Sequence, residues 1–138
     1  MQALQILFVE DDAVVGASTC EFMRGRGVRV LDADCAAAAL RVVARQGYLS
    51  ALVTDIDLGA GEDGFEIARR ARAAYPRLPV VFVSGTAAAR HRAEGVEGSV
   101  FIDKPYHPRQ ILDALKRLSF GERKTPDYGD KLPSILCT

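Results

Sequence analysis

The chain has 138 residues, 49% of them hydrophobic and 26% charged, with eighteen basic side chains balancing eighteen acidic ones. That length suits one domain able to bury roughly two thirds of its unfolded surface without a disulfide or metal staple. Zero net charge leaves no electrostatic case for nucleic acid or an anionic membrane as the main partner, and no apolar run approaches the ~20 residues that span a bilayer.

In chain order, Ile6-Leu7-Phe8-Val9 reads as a first strand over 5–10 that ends in Glu10-Asp11-Asp12, with Asp12 as a helix cap. A helical pattern follows from about Ala13 to Arg24, with Val15, Phe22 and Met23 on one side, until Gly25-Arg26-Gly27 stops it. Val28 to Leu31 reads as the second strand. An Ala-rich helix comes next, with Ala36, Leu40, Val43 and Ala44 at helical spacing, and Gly47 ends it. The third strand, 51–55, closes on Asp55, and a glycine-rich loop from Gly59 to Gly64 leads into a helix from Phe65 to about Ala74. Pro76 and Pro79 bracket the entry to the fourth strand, 80–84, which ends on Ser84. A weaker Ala/Arg segment over 86–94 precedes the fifth strand, 99–103, which runs through Asp103 into Lys104-Pro105. Pro108 suits the first turn of the last helix, whose buried stripe is Ile111, Leu115 and Leu118. From Gly121 the pattern fades, so the domain is expected over 1–120 and a partly disordered tail over 121–138.

Cys20, Cys35 and Cys137 are odd in number and lack C-x-x-C spacing, which argues against a disulfide framework or a zinc site. Cys20 and Cys35 read as small core or near-core residues. Neither His91 nor His107 has a second His or Cys at metal-ligand spacing. The first strand follows Met1 almost at once, without a signal peptide, so the expected location is cytoplasmic.

Short β-branched runs bounded by turn residues read as buried parallel strands. Their alternation with helices, over connections long enough for right-handed crossovers, gives an α/β domain with helices on both faces of one sheet. Ligands of such sheets bind outside the carboxyl ends of the strands. Glu10, Asp11, Asp55, Ser84 and Lys104 all stand at those ends. Several acids, one hydroxyl and one amine at one mouth suit a divalent cation and a phosphoryl group.

In this order and at these strand ends, the residues resemble the receiver domain of bacterial two-component response regulators, over roughly residues 4–120. The resemblance implies a flavodoxin-like doubly wound sheet of five parallel strands in the order 2-1-3-4-5. It also implies that Asp55 is a phosphoacceptor, taking its phosphoryl group from the phosphohistidine of a sensor histidine kinase or histidine phosphotransfer protein. Glu10, Asp11 and Asp55, with the backbone carbonyl of Asp57, are then expected to hold one Mg2+, an ion that seeks octahedral oxygen ligation. Lys104 would contact the acceptor carboxylate and then a phosphoryl oxygen. Ser84 matches the switch hydroxyl and Phe101 the aromatic switch. The expected output is a changed protein–protein surface around the fourth helix, the fifth strand and the last helix, in a signalling domain rather than an enzyme. A phosphorylation-dependent dimer is one form such a surface change could take.

The chain departs from the family pattern in places. The loop after Asp55 lacks the usual proline and is one residue longer than the family pattern before its Asp63-Gly64, and Asp57 adds a carboxylate beside the acceptor. Ser84-Gly85 stands for the commoner Thr-Ala, and the stretch from Ser84 to Lys104 is slightly short. Three alternatives stand beside the main reading. One is a receiver piece of a larger regulator or hybrid kinase. Another is a haloacid-dehalogenase-type phosphatase built on Asp55-Ile56-Asp57, which would want a further acidic pair on a strand after the lysine; the aspartates that follow, Asp113, Asp127 and Asp130, fall on a helix and in the tail. The third is a receiver-like module that binds partners without phosphorylation, against which the intact acidic set argues.

Overall fold

The computed structural model describes residues 4–59, 63–85 and 94–124, with side chains described as far as Leu118. The described elements are β1 (Gln5–Val9), α1 (Ala13–Arg24), β2 (Arg29–Ala33), α2 (Ala36–Arg45), β3 (Ala51–Asp55), α3 (Gly64–Ala74), β4 (Val80–Ser84), β5 (Val100–Asp103) and α4 (Pro108–Lys124). The helix expected over 86–94 falls almost wholly outside the described residues, as do 60–62 of the glycine-rich loop and the tail from 125, including Cys137.

Apolar continuity sorts the strands by position. Every residue of β1, β3 and β4 is buried, whereas β2 and β5 alternate with exposed or half-exposed positions. The three continuous runs accordingly take the centre of a parallel sheet of order β2-β1-β3-β4-β5, with the two mixed strands at its edges. Side chains alternate across the sheet and build a core on each face. Leu7, Val9, Leu52 and Phe82 face Ala39 and Val43 of α2 and Phe65, Ile67 and Ala71 of α3. Ile6, Phe8, Val53 and Val81 face Cys20 and Met23 of α1 and Ile111, Leu115 and Leu118 of α4. Phe65 and Phe82 meet with ring centroids 5.0 Å apart, and each fully buried aromatic or branched side chain contributes about 1.5–3 kcal/mol.

Local chemistry sets the helix ends. Asp12 caps α1, its carboxylate accepting from the amides of Val14 and Val15. Asp63 caps α3 by accepting from the amide of Glu66. Gly27 takes φ 83, a left-handed conformation that a side chain would oppose, in the turn between α1 and β2.

Four expectations need correction. Cys35 is exposed, not near-core: it occupies the N-cap position of α2, where the chain is extended and the side chain turns away from the sheet. Ala44 is exposed, so the buried stripe of α2 runs through Ala36, Ala39 and Val43 instead. β2 starts one residue later than expected and continues to Ala33, because its whole length pairs with β1 from Gln5–Arg29 to Val9–Ala33. The last helix continues through Gly121 to Lys124, past the point where the sequence pattern fades.

Candidate functional site

Parallel pairing brings the carboxyl ends of the strands level. Val9 lies beside Thr54, Asp55 beside Val83, and Ser84 beside Asp103. The ladder continues one residue beyond the strands, with the Glu10 amide donating to Ala33 O at 3.0 Å and the Ile56 amide to Val83 O at 3.1 Å. The Lys104 amide donates to Ser84 O at 2.9 Å, which fixes where the lysine leaves the sheet. Glu10, Asp55 and Ser84 are buried, while Asp11 stands exposed at the rim.

Lys104 reaches back across the strand ends. Its Nζ donates to Asp55 Oδ2 at 2.9 Å and lies 3.0 Å from Glu10 Oε1. The latter contact is an ion pair without an aligned hydrogen bond, and Glu10 Oε1 has no hydrogen-bond donor although it is fully buried. Glu10 Oε2 accepts from the Asp12 amide at 3.2 Å. Burial pushes the Glu10 carboxyl up, and the Asp55 charge adds to that, with Lys104 and the Asp12 amide opposing. Burial alone would depress the Lys104 ammonium, but its hydrogen bond to Asp55 and its charge attraction to Asp55 and Glu10 prevail and hold it well above the ordinary lysine range. The amine therefore stays protonated across the physiological range.

One oxygen from each of Glu10, Asp11 and Asp55 lies within 4.8 Å of the others. Three carboxylates, one with a buried oxygen lacking a donor, form a hard-oxygen set that fits a small divalent cation. Asp57 is exposed, and its Oδ2 accepts from Ser84 Oγ at 3.4 Å, long for a hydroxyl donor. Phe101 is half-buried on edge strand β5, in register with Phe82 and packed against the core on the α2–α3 side. The structure thus brings Glu10, Asp11, Asp55, Ser84 and Lys104 to one mouth and leaves Phe101 behind it on the sheet.

Two features there were not anticipated. Gly64 opens α3 directly against the backbone of the third strand: a Cβ at this position would lie 2.2 Å from Asp55 O. The Asp63-Gly64 pair was the available signal, visible only as a turn. Tyr106 OH and Thr19 Oγ1 also lie within hydrogen-bond distance, at 3.0 Å across 87 positions of sequence. A buried threonine inside a helix was the only hint of that contact.

A doubly wound parallel sheet with an acidic cluster and a lysine paired to it at its carboxyl mouth is the architecture of a receiver-type signalling domain. The response regulator receiver domain model matches residues 6–116, and the chain belongs to that family. It is 30% identical over 122 residues to the response regulator protein FleR of Pseudomonas aeruginosa, an alignment covering 87% of this chain and 25% of FleR. It is similar to the crystal structure of a response regulator receiver protein from Sinorhizobium medicae, with a TM-score of 0.79, 29% identity, and 83% of this chain and 93% of the other covered. It is also similar to the receiver domain of the sensor histidine kinase PA1611 from Pseudomonas aeruginosa, whose structure has a magnesium ion coordinated in the active-site cleft; the TM-score is 0.70, the identity 26% and the coverage 84% and 97%. The chain spans from 25% to 52% of the length of the first curated relatives it matches. No described helix is long and apolar enough to cross a membrane.

Proposed function

We propose that this receiver domain accepts a phosphoryl group on the carboxylate of Asp55 from the phosphohistidine of a sensor histidine kinase or histidine phosphotransfer protein. A carboxylate oxygen of Asp55 attacks phosphorus, the P–N bond breaks, and the imidazole leaves with the bonding pair. The observation that carries this reading is the Lys104 ammonium held 2.9 Å from Asp55 Oδ2 beside the Glu10–Asp11–Asp55 oxygen cluster. That ammonium orients the acceptor and stands ready to neutralise charge on the transferred group, which is most of what phosphoryl transfer asks of a protein. Glu10, Asp11, Asp55 and the Asp57 backbone carbonyl would hold Mg2+, which when bound offsets charge on the acceptor and on the transferring group. The domain assists its own phosphorylation and dephosphorylation and acts through binding rather than turnover of a substrate.

Once Asp55 carries the phosphoryl group, the Ser84 hydroxyl turns toward a phosphoryl oxygen and Phe101 packs inward behind it. To invert a two-state equilibrium from mostly off to mostly on, this exchange has to supply about 5.5 kcal/mol of differential stabilisation. Its readout is a changed surface on β5 and α4 for a downstream protein or a second copy of the domain. The receiver unit runs through the last helix to Lys124, and the cytoplasm is its compartment. The family match gives the phosphatase reading of Asp55-Ile56-Asp57 no support.

The test is incubation with phosphoramidate, with and without Mg2+, followed by intact mass spectrometry. A Mg2+-dependent gain of one phosphoryl group that Asp55→Asn abolishes supports the reading. No gain from phosphoramidate or from a phosphohistidine donor, with fold and metal binding intact, would transfer the weight to an interaction module that works unphosphorylated.

A further inference from the structure

Lys104 needs more than its own hydrogen bonds to stay in place, because its side chain crosses from the end of an edge strand to the two central acids. Its loop is tied at the strand side through the Lys104 amide on Ser84 O, and at the helix side through the His107 amide on Gln110 Oε1. Neither tie reaches the body of the domain beneath the acids. The third tie does. Tyr106, two residues after the lysine, packs against the α1–α4 core and places its hydroxyl 3.0 Å from Thr19 Oγ1. Thr19 is only 2% exposed and sits in the middle of α1. A hydroxyl buried inside a helix is ordinarily a liability unless it is paired, and here its partner comes from the loop that carries the lysine.

We propose that the Thr19–Tyr106 hydrogen bond is a positioning pair for phosphoryl transfer: by anchoring the β5–α4 loop to α1 it fixes the Lys104 ammonium over Asp55. Neither hydroxyl touches the reacting atoms; both act through Lys104. The inference rests on the phosphoacceptor reading of Asp55. Geometry matters here at the scale of an ångström, since small misplacements of a group that stabilises developing charge cost large factors in rate.

The test uses Tyr106→Phe, which keeps the ring, Thr19→Val, which keeps the shape, and Thr19→Ser, which keeps the hydroxyl. The maximal rate of phosphorylation by phosphoramidate is expected to fall about 5- to 10-fold in Tyr106→Phe and in Thr19→Val, with Thr19→Ser near wild type. The Tyr106→Phe/Thr19→Val double variant should be no slower than either single, because the two hydroxyls make one bond. In a Lys104→Met background the Tyr106→Phe change should make less than a twofold difference. An independent readout is the 15N resonance of the Lys104 side-chain amine in Mg2+-free protein, expected to move toward that of solvated lysines in Tyr106→Phe. Wild-type rates with an unmoved lysine resonance in folded Tyr106→Phe overturn the proposal, as does an undiminished Tyr106→Phe effect in the Lys104→Met background. Failure of the wild type to be phosphorylated at all overturns the Asp55 reading instead, and this one with it. If the single variants fail to fold at assay temperature, rates normalised to the folded fraction at lower temperature decide by the same criteria.

Discussion

Replacing Gly64 with alanine perturbs the site through the backbone alone. The new Cβ would lie 2.2 Å from Asp55 O and 3.0 Å from both Asp55 C and Ile56 Cα. Carbon contacts are comfortable from about 3.5 Å, so the start of α3 and the Asp55–Ile56 peptide have to part by roughly 1 Å. None of those neighbours is the tip of a flexible side chain that could swing aside. The same movement stretches the 2.9 Å hydrogen bond from the Gly64 amide to Ile56 O. Overpacking of this kind costs about 1–3 kcal/mol, against a gain of at most about 1 kcal/mol from exchanging glycine for alanine in a helix. The expected net loss is about 1–2 kcal/mol in urea unfolding. The phosphorylation rate should suffer more than stability, because the displaced peptide belongs to the acceptor itself and a 1 Å error in placement is worth on the order of 100-fold. Gly47→Ala is the control, since a Cβ there meets nothing within 4 Å. A Gly64→Ala protein unfolding within 0.5 kcal/mol of wild type and labelling within about twofold would refute the steric reasoning.

Lys104→Met leaves the Glu10 and Asp55 carboxylates, with side chains 1% and 7% exposed, without their counter-charge. Breaking a buried pair costs about 3–5 kcal/mol, less here because the lysine is itself 27% exposed, so about 1–3 kcal/mol should be lost without Mg2+. Millimolar Mg2+ should restore most of it by binding the folded state alone; urea unfolding at two metal concentrations checks both halves, and a loss that Mg2+ leaves untouched contradicts the metal assignment. Phe82→Ala removes a fully buried ring between β4 and α3 and should cost about 3–5 kcal/mol in the same assay. Burial, aided by Asp32, pushes the Cys20 thiol up while Arg24 opposes it, a difference best read in a Cys137→Ser background. A raised pKa means less thiolate at a given pH, so near pH 8 iodoacetamide should modify exposed Cys35 at least about tenfold faster than Cys20. Equal rates in mass-spectrometric peptide mapping would contradict the buried placement of Cys20.

Strands were legible because their physics is local. Ile6 to Val9, Ala51 to Val53 and Val80 to Val83 are unbroken apolar runs, and such runs have one comfortable place, the middle of a parallel sheet. Asp12 was legible as a cap because a short acceptor ahead of an apolar pattern meets the free amides of a first turn. The Ala-rich helix was harder, since Ala36, Ala39 and Ala44 differ only in which way they face, and phasing a helix needs contrast. Cys35 misled for a related reason: residue type suggested burial, whereas the extended N-cap geometry turned it outward. Gly121 looked like a stop, yet one glycine costs a helix only about 1 kcal/mol. A helix already anchored by Ile111, Leu115 and Leu118 continues across that cost to Lys124.

The site shows why candidate residues become chemistry only through register. Ser84 pairs with Asp103, so Val100 and Ile102 point into the α1–α4 core while Phe101 faces the other side. A slip of one residue between β4 and β5 would exchange those faces and carry the following lysine away from the acids. What prevents the slip is apolar: Ile102 is 7% exposed among Val81, Val83 and Ile111, and its exposure would forfeit about 1.5–3 kcal/mol. The 2.9 Å contact between Lys104 and Asp55 is therefore maintained partly by a residue that is no party to it. A sequence pattern can nominate Lys104 and Asp55. The register that buries an isoleucine on one face and a phenylalanine on the other helps make them neighbours.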